Sequence, residues 1–186
     1  MTTAKKHNKP VGKELPVVHH PDPRLRQRSE DILLDGLAKA EFRELLADME
    51  ETMKKKDGAG LAAPQIGKNI RLAVIALEKK TIFCLNPQIT KRSWAKVTEE
   101  EGCLSVLNEA GEIIYGPVER HKKVNVVYWD ETGAKKKMSA SDMLARVFQH
   151  EIDHLDGILF IDRLSAADKK KLHAWKSGGP AAEKSA

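Results

Sequence analysis

The chain has 186 residues, 41% hydrophobic and 32% charged, with a basic excess that gives a net charge of +5. This composition fits one soluble globular domain large enough to bury a core, and the lack of any run of about 18 apolar residues excludes a membrane-spanning helix. Two cysteines, Cys84 and Cys103, are too few for a disulfide framework, so each is read singly.

The opening MTTAKKHNKPVGKELP is basic but lacks the apolar stretch of a secretory signal; it is short for a transit peptide and contains Glu14. A cytoplasmic location is expected, with residues 1–15 a disordered extension and the ordered domain spanning 16–176. PDPRLR at 21–26 reads as an extended, proline-punctuated entry. From Leu37 to about Lys56, Leu37, Phe42, Leu45, Leu46, Met49 and Met53 recur at helical spacing, and DGAG then supplies a turn. LAAPQIG at 61–67 reads as a loop. RLAVIAL and TIFCLNPQI read as two strands, with Cys84 a core residue of the second. KVTEEEGCLSV at 96–106 is expected to continue that sheet. EIIYGPVER, KVNVVYWD and AKKKMSA are further strands, with DETG at 130–133 a hairpin turn. SDMLARVFQHEIDHLDG at 141–157 reads as a helix with Ser141 as N-cap and Gly157 as its stop. SAADKKKLHAW makes a last short helix, and residues 177–186 are expected to be a disordered tail. The pattern predicts an α+β fold: one domain of mixed or antiparallel sheets packed around a central histidine-bearing helix.

That helix contains HExxH. His150 and His154, four residues apart, project from one face within reach of a single ion, and Glu151 lies beside it without having to bind it. A hydrolytic site needs a third protein ligand and one open position. Downstream, position 160 is Phe160 and the only later glutamate is Glu183. Asp162 is a further candidate, but it sits in the apolar LFIDRL, where an Asp caps or pairs. Upstream stands Cys103, in an odd place for a core thiol. Taken alone it reads as an inert buried residue; beside HExxH it becomes the leading candidate. A thiolate and two imidazoles suit Fe(II), Zn(II), Co(II) or Ni(II). The lysine runs at 54–56, 135–137 and 169–171 are scattered without interleaved aromatics, so they read as solvated faces and no sequence-specific nucleic-acid binding is expected.

GAGLAAPQIG at 58–67, EGCLS at 101–105 and QHEIDHLDG at 149–157 stand in the order of the three signature motifs of the peptide deformylases. VVHHPDPRLR at 17–26 and CLNPQI at 84–89 also match that family. The sequence therefore resembles a peptide deformylase over roughly residues 16–164. The resemblance implies removal of the N-formyl group from the formylmethionine of nascent polypeptides, with the ribosome near its exit tunnel as an expected partner. It also implies that Cys103, His150 and His154 hold the metal, natively Fe(II), with Zn(II), Ni(II) or Co(II) able to substitute. Glu151 is implied as general base and acid, and Gln65 with the Leu104 N–H as the oxyanion donors. Gly58, Ala59, Gly60 and Gly102 are implied as the backbone along which an extended peptide lies like an added strand. Two departures stand out: the segment after Val106 is longer than usual, and Ala59 is smaller than the Val or Ile common there. Two other readings compete. A zinc endopeptidase requires a third ligand other than Cys103. A structural metal module requires a fourth ligand, for which His121 and His173 are the candidates.

Overall fold

The computed structural model describes residues 10–78 and 80–176, the last five by backbone alone. Of the extension expected at 1–15, residues 1–9 lie outside the described residues, as does the tail expected at 177–186. Residues 10–15 run beside the first long helix, α1 (Ala40–Lys55): the Lys13 N–H donates to Asp48 Oδ1 at 2.9 Å and the Leu15 N–H to Thr52 Oγ1 at 2.8 Å.

In chain order the strands are β1 (Gly60–Ala62), β2 (Leu72–Leu77), β3 (Lys80–Arg92), β4 (Lys96–Leu107), β5 (Ile113–His121), β6 (Lys123–Trp129) and β7 (Lys135–Ser141). They pair antiparallel in two sheets, one five-stranded in the order β1-β2-β3-β6-β7 and one of β4 with β5. Side-chain alternation in β2 splits the core. Leu72 and Val74 pack with Met49 and Met53 of α1 on one face. Ala73 and Ile75 pack on the other with Phe148 and Leu155 of the second helix, α2 (Asp142–Leu155). A third cluster joins Val106 and Val118 of the smaller sheet to Leu25 and to Phe160 of the short helix α3 (Phe160–Arg163). The chain ends its described part in α4 (Ala166–Lys176).

The sequence expectations fail locally in four places. Residues 60–62 are an edge strand, because Gly60, Leu61 and Ala62 find ladder partners in Ile75, Val74 and Ala73; the rest of the expected loop is a 3-10 turn over Ala63–Ile66. β4 does not continue the larger sheet, since both edges of β3 are already taken by β2 and β6. Pro23–Arg26 is a 3-10 turn in which Asp22 Oδ1 accepts the Arg24 N–H, rather than extended chain. Ser141 stands at the N-cap of α2 but makes no side-chain capping bond there. The stop is as expected: Gly157 takes φ of 76°, and the Gly157 and Ile158 N–H groups close on the carbonyls of His154 and Asp153.

α2 is enclosed by both sheets. It therefore buries Arg146, Gln149, Glu151, Asp153 and His154 alongside its apolar residues. Polar groups so placed need specific partners, and those partners define the site.

Candidate metal centre and active site

His150 and His154 lie one turn apart on α2, their ring centroids 4.9 Å apart. Alternation along β4 puts Glu101, Cys103 and Ser105 on one buried face, turned toward that helix. Between Gly102 and Leu107 the β4–β5 ladder is broken by a register shift, which frees residues 103–106 from regular pairing with β5. Cys103 Sγ comes to 3.2 Å from His154 Nε2. One ligand atom each from Cys103, His150 and His154 lies within 4.8 Å of the other two, the only such trio of His, Cys, Asp or Glu side chains among the described residues.

The arrangement fits a metal on its own chemistry. His150 Nδ1 is 3.0 Å from Glu101 Oε2, which turns the other ring nitrogen toward Cys103 and His154. The donor set is one sulfur and two imidazole nitrogens, and Glu151, though buried beside it, is not a member. Its Oε2 is a buried atom without a hydrogen-bond partner. Burial pushes the Glu151 carboxyl up to about 7, with nearby His150 acting against the rise. Burial also disfavours charge on both histidines. At His154 it prevails, whereas at His150 hydrogen bonds to Cys103 and Glu101 outweigh it and favour the protonated ring.

Gln65 is 2% exposed and fixed at both ends of its amide. Its Oε1 accepts the Ala62 N–H at 2.8 Å, so its NH₂ faces Cys103 Sγ at 3.6 Å and Ser105 Oγ at 3.2 Å. A cavity of about 280 Å³ opens over this group, lined by Gly58, Ala59, Gly60, Gln65, Gly102, Cys103, Leu104, His150 and Glu151, with Ile113, Tyr115 and Met143 at its mouth. Every residue implicated by the family resemblance lines this cavity except His154, which is buried with its Nε2 against Cys103 Sγ. Two glycines are explained by packing. A Cβ at Gly60 would fall 2.5 Å from Glu151 Oε1, and one at Gly102 would fall 2.5 Å from the Tyr115 ring.

Asp162, the alternative ligand, is engaged elsewhere: it accepts the Leu159 N–H at 2.8 Å and pairs with Arg26. Cys84 is buried in the core, where burial pushes its thiol far up. His121 Nδ1 bonds the Ser93 carbonyl at 2.7 Å. The side chain of His173 lies outside the described residues. The segment after Val106 is a turn closed by Asn108 and Glu112, followed by β5.

Sequence reading missed the charged groups behind the ligands. Glu101 accepts from His150, from Arg120 through both oxygens at 2.9 and 3.0 Å, and from Arg146 at 2.6 Å. Burial alone would raise its carboxyl, but the bonds from His150 and Arg120 outweigh it and hold the group well below the usual range. Arg120 also pairs with Asp153, which Arg163 holds from the other side at 2.6 Å.

The sequence model for polypeptide deformylase matches residues 14–170. The chain belongs to the polypeptide deformylase family. Its sequence is 39% identical to the peptide deformylase of Chlorobaculum parvum over 165 residues, covering 85% of this chain and 83% of that one. Its fold matches the crystal structure of a Legionella pneumophila peptide deformylase with a TM-score of 0.78 at 34% identity, over 89% of this chain and 94% of that one. It also matches a Met-Ala-Ser-bound deformylase from Acinetobacter baumannii with a TM-score of 0.77 at 31% identity, over 83% and 100% of the two chains. The α+β architecture is thus that of the deformylases, and the family's activity, deformylation of nascent peptides, is the activity of this enzyme. The family is metal-dependent, and Cys103, His150 and His154 are a possible metal site. No helix among the described residues is long and apolar enough to cross a membrane.

Proposed function

We propose that this deformylase works with Fe(II) held by Cys103, His150 and His154, that Zn(II), Ni(II) or Co(II) can replace it, and that Glu151 moves the proton. The observation that carries the reading is the arrangement in one cavity: a sulfur–imidazole–imidazole trio, a partnerless buried carboxylate oxygen, and an amide NH₂ anchored toward the sulfur. When bound, the ion supplies a Lewis acid for the formyl oxygen and acidifies a water molecule.

Glu151 accepts the water proton and returns it to the amine nitrogen as the C–N bond breaks. Gln65 Nε2–H and the Leu104 N–H donate to the formyl oxygen as negative charge develops there. The Ala62 N–H supports this by fixing Gln65 Oε1, so that the amide presents its NH₂ without reorganising. β1 is an edge of the larger sheet and β4 an edge of the smaller one, with the cavity between them. An extended peptide lying along Gly58, Ala59 and Gly60 on one side and Gly102 on the other gains main-chain hydrogen bonds there. The Met-Ala-Ser bound to the Acinetobacter relative supports a short methionine-led peptide as the occupant. We place the enzyme in the cytoplasm, acting on formylmethionyl chains as they leave the ribosome.

The endopeptidase alternative is disfavoured by Asp162, which is engaged with Arg26 and Leu159. The structural-metal alternative is disfavoured by a trio without a fourth member among the described residues. The test is formate release from formyl-Met-Ala-Ser by protein purified under nitrogen and loaded with each metal. Stoichiometric metal with formate release supports the reading; no formate from any metal form, or cleavage of unformylated internal bonds, rejects it.

A further inference from the structure

The candidate metal ligands come from two different layers. Cys103 belongs to β4 of the smaller sheet, while His150 and His154 belong to α2, which packs on the larger one. Metal–ligand bonds of about 2.0 to 2.3 Å leave little room for the helix to slide against the strand. Something must register the two.

Arg146 stands four residues before His150, as His150 does before His154, so all three share one stripe of α2. It is 4% exposed. Its Nε donates to Glu99 Oε2 at 3.0 Å, Nη1 to Glu101 Oε1 at 2.6 Å and to the Val118 carbonyl at 3.0 Å, and Nη2 to the Val97 carbonyl at 3.0 Å. One guanidinium thus grips β4 at Val97, Glu99 and Glu101, on the face that carries Cys103 two residues further on, and grips β5 at Val118. Glu101 in turn accepts from His150 Nδ1. Arg120 already holds both Glu101 oxygens, so compensating that buried charge does not require Arg146. What Arg146 adds is a rigid link from the histidine helix to the cysteine strand. Only a planar fork with several fixed donors can make it; a lysine reaches one acceptor region at a time.

We propose that Arg146 is a positioning residue of this deformylase: it clamps α2 onto β4 so that Cys103, His150 and His154 converge, and it holds Glu101 where it orients the His150 ring. The proposal rests on the metal-site reading above.

The test compares wild type, Arg146→Met and Arg146→Lys in four measurements: zinc affinity by competition with a chromophoric chelator, the absorption spectrum of the cobalt(II) form, melting of the metal-free protein, and steady-state formate release. Arg146→Met is expected to lose about 10- to 100-fold in zinc affinity and to alter the cobalt spectrum, with kcat falling more than KM rises. Arg146→Lys, which keeps the charge but not the fork, is expected to recover part of the affinity and still fall short of wild type. A Lys variant with wild-type zinc affinity and cobalt spectrum overturns the proposal, even where the Met variant fails to fold. A Met variant that melts lower but binds zinc as wild type does overturns it too, since its role is then stability alone. If wild type itself neither holds zinc nor releases formate, it is the metal-hydrolase reading that fails.

Discussion

Gly60→Ala tests the placement of Glu151 without touching Glu151. The added Cβ would sit 2.5 Å from Glu151 Oε1 and 2.8 Å from its Cδ and Cγ, whereas ordinary contact begins near 3.4 Å. The carboxylate must therefore move by roughly 1 Å, and a displacement of that size in a catalytic group costs about 10²-fold in rate, or about 2.7 kcal/mol. The fold has little to lose. Gly60 is paired in β1 with Ile75 and has no left-handed φ, and the colliding atoms belong to one side chain, that of Glu151, rather than to backbone. The expected result is a formate-release kcat lowered about 100-fold, with metal content and melting temperature close to wild type. A Gly60→Ala/Glu151→Gln double variant should be no slower than Glu151→Gln alone, because both changes remove the same function. Near-normal turnover by the metal-loaded single variant, or full additivity in the double, would show that Glu151 does not work from this position.

Cys103→Ser should lose most bound metal and most activity while leaving the apo fold intact; metal analysis after gel filtration checks it, and full metal retention would remove Cys103 from the ligand set. Gln65→Leu should lower kcat by about 10² to 10³ with little change in KM, measured by steady-state formate release. A pure KM effect would reassign Gln65 to substrate binding. The low pKa of Glu101 gives a pH prediction. A carboxyl held below its ordinary 4.5 stabilises the fold above that value and loses the contribution as pH falls through the depressed native value. The melting temperature of metal-free wild type should therefore exceed that of Glu101→Gln at neutral pH, with the gap closing only below the ordinary carboxylate range; a constant gap down to strong acid would contradict it.

The parts of the site legible in sequence were those fixed by local geometry. The spacing of His150 and His154 dictates a shared helix face, and the lack of a usable downstream ligand directs attention to Cys103. Gln65 and Leu104 emerged only through family resemblance, because nothing local distinguishes an oxyanion donor from a loop glutamine or an ordinary strand amide. Glu101 was hidden as the last of three acids, although alternation from Cys103 already puts it on the ligand face. Arg146 had the same kind of signal, four residues before His150, yet its acceptors are set by how α2 docks on β4 and β5, which spacing along one element does not encode. Arg120 and Asp153 are invisible for the same reason. Leu61 and Ala62 read as loop from sequence because small or apolar residues beside Gly and Pro carry no periodicity, and only pairing with β2 makes 60–62 a strand.

The site proposed for this enzyme is a three-ligand metal beside a carboxylate that moves protons but does not bind the ion. Glu151→Gln, loaded with Fe(II) under nitrogen, tests it in one preparation: metal per chain and formate released from formyl-Met-Ala-Ser. Wild-type metal content with turnover reduced by about 10² or more is expected. Loss of the metal together with the carboxylate, or turnover that survives the substitution, would contradict it.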